Sequence, residues 1–389
     1  MNKLSFFLAI FFVLALSSCS KEDLFDLFHP KKPDIDSPEI RGGIYTMTND
    51  PMDNQIITYQ RLSDGSIIGT GPVSTGGKGT NLNAPEAPTF NDPLGTQDPL
   101  IMGYDNQYVF AVNAGSNDVT AFKVTSDYGL MLADIAPAGG IAPVSLASYR
   151  DWLYVVNAGD GGNIYGYYVK ENGTLEPIPY SNQPLDHAVA GNIEFSPDGK
   201  FLIVSEKNTN NLTIFPIDAY GKPGDPLTVA SNGPTPFGAV FTKKGTFVVT
   251  EAFGGAPGDA AVSSYKLHPD GNLSLISGSI GTHQTASCWI ELTDDDVYGY
   301  TSNTPDGTIS SYRIETDGTL TLLESVAGET MPGAFVLDAE IAERYLYVVA
   351  NTLEAIAIYR IEEGGSLTYI EQVTNPRYDM GEFTGITGF

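Results

Sequence analysis

The sequence predicts an all-β fold, a seven-bladed β-propeller with four-stranded blades whose C-terminal strand joins blade one and closes the ring. Three observations carry this prediction. One strand-and-turn unit recurs seven times, helical periodicity is absent, and the last strand of the chain has no unit of its own to complete.

The recurring unit is an apolar strand ending in Asn or Glu, a polar turn, a strand ending in Tyr or Phe, and a turn with Gly followed by Leu. Its strand-ending anchors are Asn49, Asn113, Asn157, Glu206, Glu251, Asn303 and Asn351, which lie 44 to 64 residues apart. A period of about 40 to 50 residues is that of a four-stranded propeller blade. Ahead of six anchor strands stands another short strand: Leu100-Ile101-Met102, Val144-Ser145-Leu146, Ile193-Glu194-Phe195, Ala239-Val240-Phe241, Trp289-Ile290-Glu291-Leu292 and Phe335-Val336-Leu337. These are expected to be innermost. The first unit begins directly with its second strand at Ile44, so residues 383–389 are expected to supply its missing inner strand. That closure removes the free sheet edges of an open array. The run Tyr345-Leu346-Tyr347-Val348-Val349, apolar at every position, fits a strand packed on both faces. Irregular unit lengths and the offset closure argue against an open β-solenoid.

Ahead of the repeats, Lys3 precedes an apolar run over residues 4–16, interrupted only by Ser5 and too short to be a permanent transmembrane helix. Leu16-Ser17-Ser18-Cys19 resembles the lipobox of bacterial lipoproteins. The expected organisation is therefore a lipoprotein signal peptide over 1–18, a lipidated Cys19 opening a flexible tether over 19–41, and the propeller over 42–389. Ser20-Lys21-Glu22-Asp23 resembles the surface-export signal of some Gram-negative lipoproteins, so the expected location is the outer membrane, facing outward, with a periplasm-facing domain as the alternative. Once Cys19 heads the mature chain, Cys288 has no second cysteine for an internal disulfide, and stability must come from the core. With 47 acidic against 20 basic residues the net charge is −27, which repels nucleic acid and leaves the lipid as the link to a membrane.

In a propeller the inner strand starts, and the second strand ends, on one face of the ring. The anchors and the loops entering each inner strand therefore converge on the mouth of the central channel, where function usually sits. This places Asn113, Asn157, Glu206, Glu251, Asn303 and Asn351 on the mouth face, with His187 and His283 on two entering loops. Asn commonly caps turns through its own side chain, which is the structural reading of those anchors. Glu206 and Glu251 stand where five sister units carry Asn, so they are either functional carboxylates or solvated acids. Glu206 and His187 are the catalytic candidates. Glu251, His283, the four asparagines and Arg377 are the ligand-binding candidates. No cofactor is required; Ca²⁺ is conceivable on Glu206, Glu251 and the Asn oxygens, because hard cations take carboxylate and amide oxygens. Residues 69–98, rich in Gly, Pro, Asn and Thr, form a loop long enough to be either a lid over the mouth or structureless.

Across residues 44–389, Phe195-Ser196-Pro197-Asp198-Gly199-Lys200, Ser205-Glu206, and Ser287-Cys288-Trp289 with Thr308-Ile309-Ser310-Ser311-Tyr312 resemble the lactonase-type propeller family. That family includes 6-phosphogluconolactonases and carboxymuconate-lactonizing enzymes, and the repeats also resemble the YVTN-type propellers of surface proteins. The resemblance implies an Arg-His pair before the Phe-x-Pro-Asp-Gly turn and a Glu ending the next strand. The pair falls on Gly191 and Asn192, and only Glu206 matches. Lactone opening needs a base to activate water and a cation or oxyanion site, and neither Gly191 nor Asn192 supplies one. His187 is the available substitute base. Two function classes follow: a surface module binding a small molecule, glycan or protein partner at the mouth, or an extracytoplasmic lactone hydrolase or cyclase with a rearranged site.

Overall fold

The computed structural model describes residues 37–80, 94–103, 105–374 and 383–389. They form seven antiparallel blades. The inner strands of blades two to seven are Leu100–Met102, Pro143–Tyr149, Ala190–Phe195, Pro236–Phe241, Ser287–Leu292 and Val336–Ala342. Each is followed outward by three more strands in chain order, and in blade three a short strand, Gln183–Pro184, also pairs with the third strand. Two 3₁₀ turns, Phe253–Gly255 and Asn351–Leu353, are the only helical elements among the described residues.

Blade one closes the ring as the sequence predicts. Its second strand is Ile40–Met47, and the C-terminal strand Gly385–Gly388 lies antiparallel to it on the channel side, with Ile44 opposite Gly388 and Met47 opposite Gly385. The outer strand of this blade, Ile67–Ser74, takes in the first residues of the stretch expected to be a loop. A bulge opposite Thr58 and Tyr59 lets Gly69 and Gly71 stay in that ladder.

The second strands carry the core. Tyr108–Asn113, Phe201–Glu206 and Tyr345–Ala350 are buried at every position, because each blade face packs on a neighbouring blade. Tyrosines within these strands link one blade to the next. Tyr154 Oη donates to Gly221 O at 2.6 Å, Tyr300 Oη to Gly365 O at 3.0 Å, and Tyr347 Oη to Gly65 O at 2.8 Å. The acceptors are glycines with φ between 75° and 87°, in the turn between the third and outer strands of the following blade. Tyrosines on third strands reach the other way: Tyr312 Oη donates to Ile280 O at 2.8 Å and Tyr359 Oη to Glu329 O at 2.7 Å, both on the outer strand of the preceding blade. The Tyr-then-Gly signature of the repeat is thus an inter-blade hydrogen-bonding device, and the Tyr347 link joins blade seven to blade one.

Candidate functional site at the channel mouth

The inner strands of blades three to seven each carry a register shift near their start, between Pro143 and Ser145, Ala190 and Asn192, Pro236 and Ala239, Ser287 and Trp289, and Val336 and Ala339. A bulge leaves a backbone group outside the ladder and re-aims the side chains around it. Those freed carbonyls find other partners. Ser205 Oγ donates to Phe237 O, and Thr250 Oγ1 donates to Cys288 O at 2.9 Å, so a hydroxyl on one blade serves the bulge of the next.

Further partners come from residues 94–98, the end of the long connection between blades one and two. Thr96 Oγ1 donates to Val144 O at 2.6 Å and Gln97 N donates to Gly191 O at 3.0 Å, which ties the segment to blades three and four. Gln97 Oε1 accepts from Ile290 N at 3.0 Å, and Trp289 Nε1 donates to Thr96 O at 3.1 Å, which ties it to blade six. Lys207 Nζ bonds Gly95 O and stands 4.8 Å from the Phe237 ring centroid. Gln97 is 2% exposed and occupies the space over Gly238 that a Cβ would need. Residues 94–98 therefore sit across the mouth as a plug hydrogen-bonded to several blades.

The plug carries Asp98 into the channel. Strand alternation points Asn192 and Glu194, Trp289 and Glu291, and Asp338 and Glu340 to one side of their inner strands. Asn192 Nδ2 donates to Asp98 Oδ2 at 2.8 Å. Carboxylate oxygens of Asp98, Glu291 and Asp338 all lie within 4.8 Å of one another, and this is the one such three-ligand group among the described residues. Enclosure within the ring pushes Asp98 up to about 7 and Glu340 up to about 8. The same loss of hydration raises Glu194, Glu291 and Asp338 well above the usual carboxylate range. The charges acting on Glu291 are those of Glu340, Asp98, Asp338 and Glu194, all acids, so repulsion adds to desolvation.

The anchor residues lie at the second-strand ends as expected, and four of them are tied to hydroxyls of their own blades. Asn113 Nδ2 donates to Thr120 Oγ1 at 2.8 Å and Asn303 Nδ2 to Ser310 Oγ at 2.9 Å, each a hydroxyl on the third strand of the same blade. Where Glu replaces Asn the donor reverses: Thr213 Oγ1 donates to Glu206 Oε1 at 2.5 Å and Ser263 Oγ to Glu251 Oε1 at 2.7 Å. The other oxygens accept from Thr209 and Ser279, at 2.5 and 2.6 Å. Glu206 and Glu251 are buried, 4% and 0% exposed, rather than solvated, and each is satisfied by donors local to its own anchor. Asn157 and Asn351 donate to backbone carbonyls, Ala138 O at 3.0 Å and Phe383 O at 2.7 Å. His187 and His283 are exposed, at φ of 69° and 59°, and no hydrogen bond joins His187 to Glu206. Arg377 and Cys19 lie outside the described residues. The structure thus brings together a set that the sequence reading missed, Asp98, Glu194, Glu291, Asp338 and Glu340. The available signal was acidic residues at alternate positions of strands otherwise destined for burial.

The family model described as lactonase, seven-bladed β-propeller, matches residues 105–252 and 253–376, more than half of the chain. The chain belongs to the lactonase family. Among curated relatives, the 6-phosphogluconolactonase of Buchnera aphidicola is 26% identical over 127 residues, a match spanning 32% of this chain and 37% of the enzyme's length. Solved structures share the family's fold over nearly the whole chain. One from Bacteroides uniformis, assigned provisionally as a 6-phosphogluconolactonase, aligns with a TM-score of 0.69 at 15% identity over 91% of this chain and 100% of its own. The periplasmic gluconolactonase of Pseudomonas aeruginosa aligns at 0.63 and 15%, over 89% of this chain and 98% of its own. In this lactonase-family propeller a Cβ at Gly191 would lie 2.8 Å from Phe237 Cα and 2.9 Å from its carbonyl oxygen, so the position expected to hold Arg has no room for a side chain.

Proposed function

We propose that the protein is a surface-anchored, lactonase-like propeller that acts as a binding module for a small molecule, glycan or protein partner at the channel mouth. The crowding at Gly191 supports this reading most directly: the position expected to bring a cation to a lactone carbonyl cannot carry one without moving the backbone of blade five. Residues 94–98 add to it by filling the mouth with backbone and Gln97. A ligand would meet the outer surface of the plug and the loops bearing His187 and His283. The anchor is part of the proposal: Cys19 carries the lipid, residues 20–41 the tether, and the domain faces outward from the outer membrane. Glycan-array binding that weakens in His187→Ala and His283→Ala is the expected result.

The second reading, an extracytoplasmic lactone hydrolase with a rearranged site, is favoured by family membership. The purified protein assayed on sugar and aromatic lactones separates the two. Turnover that disappears in Glu206→Gln would overturn the binding-module reading, and absence of turnover across the panel is expected.

A further inference from the structure

We infer that the central channel holds a divalent cation, with Ca²⁺ the best fit, on the carboxylates of Asp98, Glu291 and Asp338. This is a different site from the anchor ring, and it would fasten the plug to the blades, because Asp98 belongs to the plug while Glu291 and Asp338 belong to the inner strands of blades six and seven.

Three observations carry the inference. The first is geometric. Ca²⁺ binds oxygen at about 2.3–2.6 Å, so two ligands on opposite sides of one ion stand about 4.6–5.2 Å apart. Three oxygens all within 4.8 Å of one another can converge on a single ion of that size with an adjustment of at most a few tenths of an ångström. Mg²⁺, with ligands at about 2.0–2.1 Å in a strict octahedron, accepts a narrower range of ligand separations. The donors are all oxygen, which suits a hard cation and disfavours metals that prefer nitrogen or sulfur.

The second is an unmet acceptor. Asp338 is 1% exposed, its Oδ1 accepts from Ala339 N at 3.1 Å, the Ile386 backbone N–H also acts on the carboxylate, and its Oδ2 has no donor with hydrogen-bond geometry. Asn192 is 0% exposed and holds Asp98 through Nδ2, while its Oδ1 is likewise without a donor. Two fully buried oxygens without donors beside an acidic cluster are acceptors that a cation can satisfy.

The third is charge. The charged groups acting most strongly on Glu291 and Asp338 are all acids. Buried charge of one sign has to be relieved by protons or by a bound cation. Asp98 and Glu291 keep partial solvent exposure, which gives an ion a route in along the channel and waters to complete its shell.

The test is titration of the purified full chain, stripped with chelator, by Ca²⁺ in a calorimeter, with thermal melting as a second readout. The expected result is one saturable site per chain and a melting temperature that rises with Ca²⁺. In Asp338→Asn and Glu291→Gln the affinity should fall tenfold or more. The same variants in chelator should melt at or above the wild type, because each removes one member of a mutually repelling set; this also reports that they fold. Asp317→Asn, which alters an exposed acid on an outer turn, controls for diffuse binding to an acidic surface and should titrate like the wild type. The inference is overturned if Ca²⁺, Mg²⁺ and Mn²⁺ give neither saturable heat nor a melting shift, which would mean that protons relieve the cluster. It is also overturned if Asp338→Asn and Glu291→Gln bind as the wild type does. Lactone turnover enters neither outcome, so the cation site stands or falls apart from the proposed function.

Discussion

Removing residues 383–389 should abolish the folded state, and the structure sets the size of the effect. The deletion takes away Phe383 and Ile386, 3% and 2% exposed, and truncating a buried side chain of this size costs about 2–5 kcal/mol. It also removes the acceptors of three buried or half-buried donors: Gly385 O from Thr46 Oγ1 at 2.7 Å, Phe383 O from Asn351 Nδ2 at 2.7 Å, and Phe389 O from Arg61 Nε at 2.9 Å. Each such bond is worth about 1 kcal/mol, more where a charge is left buried, and Arg61 is 2% exposed. Together these losses reach about 7–13 kcal/mol, against a total stability of about 5–15 kcal/mol for a typical domain. The graded version is Ile386→Ala, expected to lose about 2–5 kcal/mol. Urea unfolding followed by the fluorescence of Trp152 and Trp289, with circular dichroism melting alongside, measures both. A chain lacking residues 20–38 should melt as the wild type does. Wild-type melting without residues 383–389, or equal damage from the two deletions, would refute the closure argument.

Tyr154→Phe leaves Gly221 O without its donor and should cost about 1 kcal/mol in urea unfolding with no change in secondary structure. Gly191→Ala should be destabilised by overpacking, by about 1–3 kcal/mol, and Gly191→Arg should either fail to fold or show no gain in lactone turnover. In chelator, stability should fall as pH rises from about 4 to 8. The channel carboxylates hold protons in the folded state up to about 7 at Asp98 and about 8 at Glu340, whereas the unfolded chain releases them near 4, so the folded state binds more protons across that window. A melting temperature that rises over the same range in chelator would contradict this. Cys19→Ala should release the protein from membranes into the aqueous fraction, and fatty-acid labelling of the wild type but not the variant checks it.

Much of the fold was legible because a propeller repeats. The seven anchors and the Tyr-Gly turns reported one unit seven times, and the offset of residues 383–389 was readable as soon as the first unit was seen to start at its second strand. The site was harder to read. Glu206 and Glu251 looked exceptional against five asparagines, yet each reaches a hydroxyl on its third strand just as Asn113 and Asn303 do, with donor and acceptor exchanged. A one-dimensional pattern cannot show that Thr213 and Ser263 face them. The channel acids were hidden for a related reason. Asp98, Glu194, Glu291, Asp338 and Glu340 are scattered over more than 240 positions, and only the closed ring gathers them. The plug could not be foreseen either, because two of its partners, Val144 O and Gly191 O, are carbonyls freed by bulges, and sequence marks those weakly.

The pairing of Gly385–Gly388 with Ile40–Met47 has a temporal consequence. Ile44 and Gly388 pair although 344 positions separate them, so the step that seals the structure needs residues from both ends of the propeller at once. Until they are available, blade one offers an unpaired strand edge and six blades stand in an open arc whose end faces, meant for each other, are bare. That open arc is prone to sticking to its own copies, and residues 383–389 decide when it closes.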